Sequence, residues 1–143
     1  MKQVKKLDKE LFDSNTKFVS IGTLNEDKIA FISDIDSDIA KKLRPSSDIL
    51  FWENRIKHTE RHKDDFLSDT LFEDIPSIIE SPDYIGVHPK DNSLLFIKDY
   101  SQHISVAVRV ATDGKMGYRT MFPLMEAQLD NYIKKKRVKK FNT

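Results

Sequence analysis

The chain contains no cysteine. Disulfides and thiolate-bound metals are therefore excluded, and a reducing cytoplasm is the compartment expected. No apolar run approaches membrane-spanning length. The residues after Met1, Lys-Gln-Val-Lys-Lys-Leu-Asp-Lys-Glu, lack the apolar stretch of a signal peptide. No acidic cluster has the spacing of metal ligands, and no repeat, linker or second domain is visible. Apolar content is low at 38% and charge is high at 33% of 143 residues. Together these imply one domain, 1–143, with a small core and a heavily solvated surface. Disorder is disfavoured because Phe, Ile, Leu and Val are spread along the chain. The net charge of +1 conceals an asymmetry. Residues 134–143 carry six cations and no acid, so the remaining 18 cations face 23 acids, a body of −5. Such a tail suits phosphates or an acidic partner, or it is a solvated helix end complementing the helix dipole.

What is present reads as alternating elements. Residues 1–13 suit a short polar helix or a frayed end. Runs 17–22 and 28–33 suggest an N-terminal hairpin. Residues 36–43 suit one or two helical turns stopped before Pro45. Residues 49–52 form a short strand or buried run. Asn54 is a good N-cap for a helix reaching about Leu67, and Ile75-Pro76-Ser77-Ile78-Ile79 suits a short helix with proline in its first turn. Strands are expected at 94–98, 104–111 and 116–122. Thr112-Asp113-Gly114-Lys115 is the clearest turn, with Asp-Gly suited to a two-residue type I′ loop. Pro123 opens a C-terminal amphipathic helix carrying Leu124, Met125, Leu129, Tyr132 and Ile133 on one side.

The chemistry-bearing residues fall in two places. In His58-Thr59-Glu60-Arg61-His62 two imidazoles lie at i, i+4, on one helical stripe with Phe66. Arg55, Lys57, Glu60 and Arg61 mostly reach water. In the hairpin, a two-residue loop sets Arg109 opposite Tyr118 and Ala107 opposite Thr120. Arg109, Tyr118 and Thr120 then share one face, while Val106, Val108, Val110 and Met121 face the core. The face of Lys98 is left open by the loop before strand 104–111. Imidazoles, a fixed cation and hydroxyls are what metal-free cleavage of a phosphodiester needs. A His-x-x-x-His pair also chelates zinc, but Thr59 stands where a metalloprotease has its glutamate. Buried structural imidazoles, and an Arg109 that merely faces water on an open sheet, are the plainer readings.

Segments from about residue 49 to residue 141 carry a resemblance. They are Asp48 to Trp52 running into Arg55-Ile56-Lys57-His58-Thr59-Glu60-Arg61-His62, then Ile75-Pro76-Ser77-Ile78-Ile79 and Ser81-Pro82-Asp83-Tyr84-Ile85-Gly86. Leu95-Phe96-Ile97-Lys98, Val106-Ala107-Val108-Arg109-Val110 and Tyr118-Arg119-Thr120-Met121-Phe122 complete the set. In this order they resemble the phage-type nucleases of the barnase–EndoU–colicin–RelE group. The resemblance implies an α+β fold, a histidine-bearing helix packed with a roughly four-stranded antiparallel sheet over residues 48–141. To it are added the N-terminal hairpin, the C-terminal amphipathic helix and an N-terminal extension, 1–47, that completes the sheet or masks the site. It implies a metal-independent, cofactor-free endoribonuclease, often toxin-like, cleaving by 2′-hydroxyl transesterification. Its site falls on His58, His62, Arg109 and Thr120, with Tyr118 a further catalytic candidate and Lys98, Arg61 and Arg119 as substrate-binding candidates. Implied partners are RNA, tRNA among the candidates, and a cognate immunity protein or antitoxin, with no membrane. The competing reading is a non-catalytic RNA- or protein-binding module, such as a phage-encoded inhibitor, on the same face. It is disfavoured because little interleaving of exposed aromatics with cations is visible.

Overall fold

The computed structural model describes residues 3–61 and 69–141. Seven strands among them form one sheet: β1 (Phe18–Thr23), β2 (Asp48–Trp52), β3 (Tyr84–Val87), β4 (Leu94–Asp99), β5 (His103–Val110), β6 (Met116–Leu124) and β7 (Val138–Lys140). The described helices are α1 (Glu26–Ile35), α2 (Ser37–Ala40), α3 (Arg55–Arg61), α4 (Ile75–Glu80) and α5 (Glu126–Lys134). The spatial order is β1-β2-β6-β5-β4-β3-β7. All neighbours are antiparallel except β2 and β6, which run parallel. The α+β class therefore stands, but in place of a roughly four-stranded antiparallel sheet residues 48–141 supply six described strands of a mixed sheet.

The expected N-terminal hairpin is absent. Residues 28–33 lie in α1, because the Asn25 side chain accepts the Lys28 N–H at 2.8 Å and Glu26 and Asp27 occupy the first turn. Helical spacing then brings Ile32 fully inside. β1 pairs instead with β2, so the N-terminal segment extends the sheet. Both faces of the sheet are packed. Phe51, Phe96, Val106 and Val108 meet Ile32 of α1 and Ile75, Ile78 and Ile79 of α4 on one side. On the other, Leu95, Ile97 and Ala107 meet Leu129 of α5 and Val138. The C-terminal carbonyls of α4 are tied down by a lysine. The buried Lys28 Nζ donates to Ile79 and Glu80 at 3.0 and 2.9 Å.

The C-terminal expectations also change. Pro123 and Leu124 end β6, and α5 begins only at Glu126. Of the predicted apolar stripe Leu129 is buried, whereas Met125 is 69% exposed. The basic tail is not an arm. Its Val138 is buried and β7 pairs with β3. The approach is so close that a Cβ on Gly86 would lie 2.4 Å from the Val138 side chain. Arg137 reaches Asp36 at 3.4 Å.

Candidate active site

The β5–β6 hairpin decides which side chains meet. Its loop has three residues, not two. The Ala111 N–H donates to Lys115 O at 2.8 Å, and the Gly114 N–H to Ala111 O at 2.9 Å. Asp113 accepts from the Lys115 N–H at 3.1 Å, and Gly114 takes φ +89°. A three-residue loop closing on a positive-φ glycine slides the register by one. Arg109 now faces Gly117, and Tyr118 faces Val108. A bulge at Arg119 then absorbs the slip, so that Thr120 is opposite Ala107, as expected from the sequence. Arg109 and Thr120 therefore share a face by register. Tyr118 does not. It turns into the core, 4% exposed, with its ring 4.6 Å from that of Phe51.

Helix α3 leaves the end of β2 and rests on β6. His58 Nε2 lies 3.1 Å from Thr120 Oγ1. A hydroxyl chain beside it fixes the helix. Thr59 Oγ1 donates to the Arg55 carbonyl at 2.9 Å, a bond within one helical turn. Its oxygen is then free to accept the phenolic O–H of Tyr118 at 2.8 Å. Burial pushes the Tyr118 phenol up to about 12, outweighing the Thr59 hydrogen bond and the Arg55 charge, which pull it down. Tyr118 thus ties β6 to α3 through its hydroxyl contact with Thr59. The threonine that replaces a metalloprotease glutamate carries this contact, a role that spacing alone did not reveal.

Arg55, expected at the water-facing side, is half-buried and its guanidinium donates to the Arg119 carbonyl. It lines a cleft of about 410 Å³ with Arg109, Arg119, Lys115 and Trp52. Arg109 is exposed there and has no hydrogen-bond or ion-pair partner among the described residues. The bulged Arg119 is paired with Asp91. Trp52 is 43% exposed, so a cationic cleft with an accessible aromatic exists where the sequence showed little sign of one.

One other candidate lies elsewhere. Lys98 is opposite Ile104 and donates to the Ser81 carbonyl at 3.2 Å. Five residues separate Ile104 from Arg109 along β5, roughly 17 Å, so Lys98 is not brought to the cleft. His62 and the side chain of Arg61 lie outside the described residues, as does the helix expected beyond Arg61. His103 stands at the start of β5, between Asp99 on Nδ1 and Glu126 on Nε2, the latter at 2.6 Å. Among the described residues no three His, Asp or Glu side chains converge as metal ligands, and no helix is long and apolar enough to cross a membrane.

The sequence matches a family model over residues 28–131, described as phage-Barnase-EndoU-ColicinE5/D-RelE like nuclease3. The match starts within α1 and ends within α5, so it spans the hairpin, the bulge and α3. Neither curated proteins nor solved structures give a match.

Proposed function

The chain belongs to the phage-Barnase-EndoU-ColicinE5/D-RelE like nuclease family, and on that premise we propose that it is a metal-independent endoribonuclease. The observation that carries this reading is the contact of His58 Nε2 with Thr120 Oγ1 at 3.1 Å, next to a cleft lined by four basic side chains. An imidazole serves as general base or general acid. A base takes the proton of the ribose 2′-hydroxyl, and the oxygen attacks the adjacent phosphorus. The bond to the 5′-oxygen breaks and that oxygen receives a proton from an acid. The products are a 2′,3′-cyclic phosphate and a free 5′-hydroxyl. His58 takes one proton-transfer role, and His62, four residues later in the sequence, is the candidate for the other.

Arg109 is the group for the charge that develops on the nonbridging oxygens. Its lack of an ion pair among the described residues leaves its donors available. Such a contact is typically worth ~3–4 kcal/mol in the transition state. The Thr120 hydroxyl suits a phosphate oxygen, within reach of the same imidazole. Directed at cellular RNA, tRNA included, this activity is that of a toxin, and a cognate inhibitor would cover the cleft.

The test is incubation of the purified protein with total RNA and tRNA in EDTA, followed by analysis of the new 3′ ends. Cyclic phosphate termini are expected. Cleavage lost in EDTA and restored by zinc would instead favour metal chemistry at the His-x-x-x-His pair. Tight RNA binding with no cleavage under any condition would favour the non-catalytic module.

A further inference from the structure

The parallel pairing of β2 with β6 lasts only two residues, Ile49 with Met116 and Leu50 with Gly117. Beyond it Trp52 and Arg119 are not paired, and Arg55 occupies the divergence through its bond to the Arg119 carbonyl. The floor of this divergence is Gly117. The row Leu50–Gly117–Arg109 crosses three strands on one face, and Trp52 follows Leu50 by the strand period of two. A Cβ at Gly117 would meet only the Leu50 carbonyl, at 3.9 Å, so the missing side chain is open space rather than a packing need. The Arg55 Nε is buried with no hydrogen-bond partner. None of the described residues lining the cleft is acidic, and the carboxylate of Asp91 is paired with Arg119.

We propose that this cleft is a subsite for one unpaired nucleotide, with its base stacked on Trp52 and its phosphate held by Arg109, so that the enzyme acts on single-stranded RNA. The proposal rests on the nuclease reading and adds a substrate class to it. The indole lies against Phe18, with ring centroids 4.5 Å apart, which limits its rotation while leaving it 43% exposed. A cleft of about 410 Å³ lies within the range of small-ligand sites, about 300–1,000 Å³. Aromatic faces bind bases without regard to sequence, but only bases whose own faces are free, and a duplex hides them. The neighbouring cations supply the backbone contacts such a base needs. The subsite adjoins the chemistry through the chain itself. Arg55 and His58 are three residues apart on α3, one turn, and Arg119 immediately precedes Thr120.

Trp52 is the only tryptophan in the chain, so its emission reports this subsite alone. The full protein is titrated with a single-stranded 2′-O-methyl oligonucleotide of about eight residues, which cannot undergo transesterification, and with its duplex. The single strand should quench Trp52 and bind at least ~10-fold tighter than the duplex. Followed by a labelled oligonucleotide, Trp52→Ala should weaken the single strand about 5- to 150-fold, the range for losing one stacked base. Trp52→Phe should restore most of the loss, and Gly117→Val, which fills the floor, should weaken binding with Trp52 intact. Unmoved Trp52 emission, equal binding of duplex, or Trp52→Ala binding as wild type would overturn the subsite. If RNA is still cleaved in that case, the nuclease reading stands alone. Quenching by the single strand without cleavage of any RNA would support the subsite and remove the nuclease reading.

Discussion

Replacing Tyr118 by phenylalanine removes one oxygen from the chain Tyr118–Thr59–Arg55 and nothing else. The ring and its contact with Phe51 at 4.6 Å remain, so no cavity forms. The lost bond is a neutral hydroxyl pair at 2.8 Å, worth about 0.5–1.5 kcal/mol net. Thr59, 5% exposed, keeps its own donor bond to the Arg55 carbonyl but loses the proton it accepts. Its buried oxygen adds to the cost, for a total of about 1–2 kcal/mol. That corresponds to roughly 3–8 °C in Tm for a domain of this size. The phenol is pushed up to about 12 by burial, so the loss should be the same at pH 6 and pH 9. RNA cleavage should fall about 10-fold, through kcat rather than KM, because α3 then holds His58 less firmly against Thr120. A urea-denaturation cycle of Tyr118→Phe, Thr59→Val and the double variant isolates the pair. The two losses should overlap, since either change breaks the same bond. Additive losses, or a Tyr118→Phe change under ~0.3 kcal/mol, would show that the hydroxyl chain does not hold the helix. Loss of cleavage as complete as that of a His58 variant would show that the phenol takes part in the chemistry.

Arg109→Ala should lower RNA cleavage about 10²- to 10³-fold and leave urea stability within ~0.5 kcal/mol, because the side chain is exposed and has no partner among the described residues. A stability loss matching the activity loss would refute its assignment. His103 gives a pH signature. Burial works against its charge, but the hydrogen bonds and charges of Glu126 and Asp99 outweigh it, and its pKa is raised above the usual 6.5. Its contribution to stability is therefore complete below about pH 6.5 and declines as pH rises through the higher folded-state value. Denaturation midpoints across pH 5–9 should show this slope in the wild type and lose it in His103→Gln. An unchanged slope would show that the cluster is not coupled to folding.

The strands rich in β-branched residues were legible because burial on both faces demands them: β5 and β4 fell where Val106, Val108 and Phe96 put them. The grouping of His58 with Thr120 came from the family resemblance; helical and strand periods place each on its own element without saying that the two meet. The misreadings have local causes. Residues 28–33 contain enough apolar side chains for either a strand or a helix, and the deciding signal was the Asn25-Glu26-Asp27 cap. Asp113-Gly114 fits both a two-residue and a three-residue loop, which differ by one residue in register. That single step turned Tyr118 from the expected face to the core. The bulge at Arg119, which returns Thr120 to its partner, leaves no mark in the local sequence. The cleft was invisible because it arises where β2 parts from β6, and strands so far apart in sequence carry no sign of how long they stay paired.

The central claim is that His58, seated against Thr120, transfers a proton during RNA cleavage. Its most direct measurement is single-turnover cleavage of a labelled single-stranded RNA in EDTA by wild type, His58→Ala and Thr120→Val, each first shown to unfold at the same urea midpoint within error. The account predicts a loss of at least ~100-fold for His58→Ala and a smaller one for Thr120→Val, with cyclic phosphate ends wherever cleavage remains. His58→Ala cleaving at the wild-type rate, with the same ends, would contradict it.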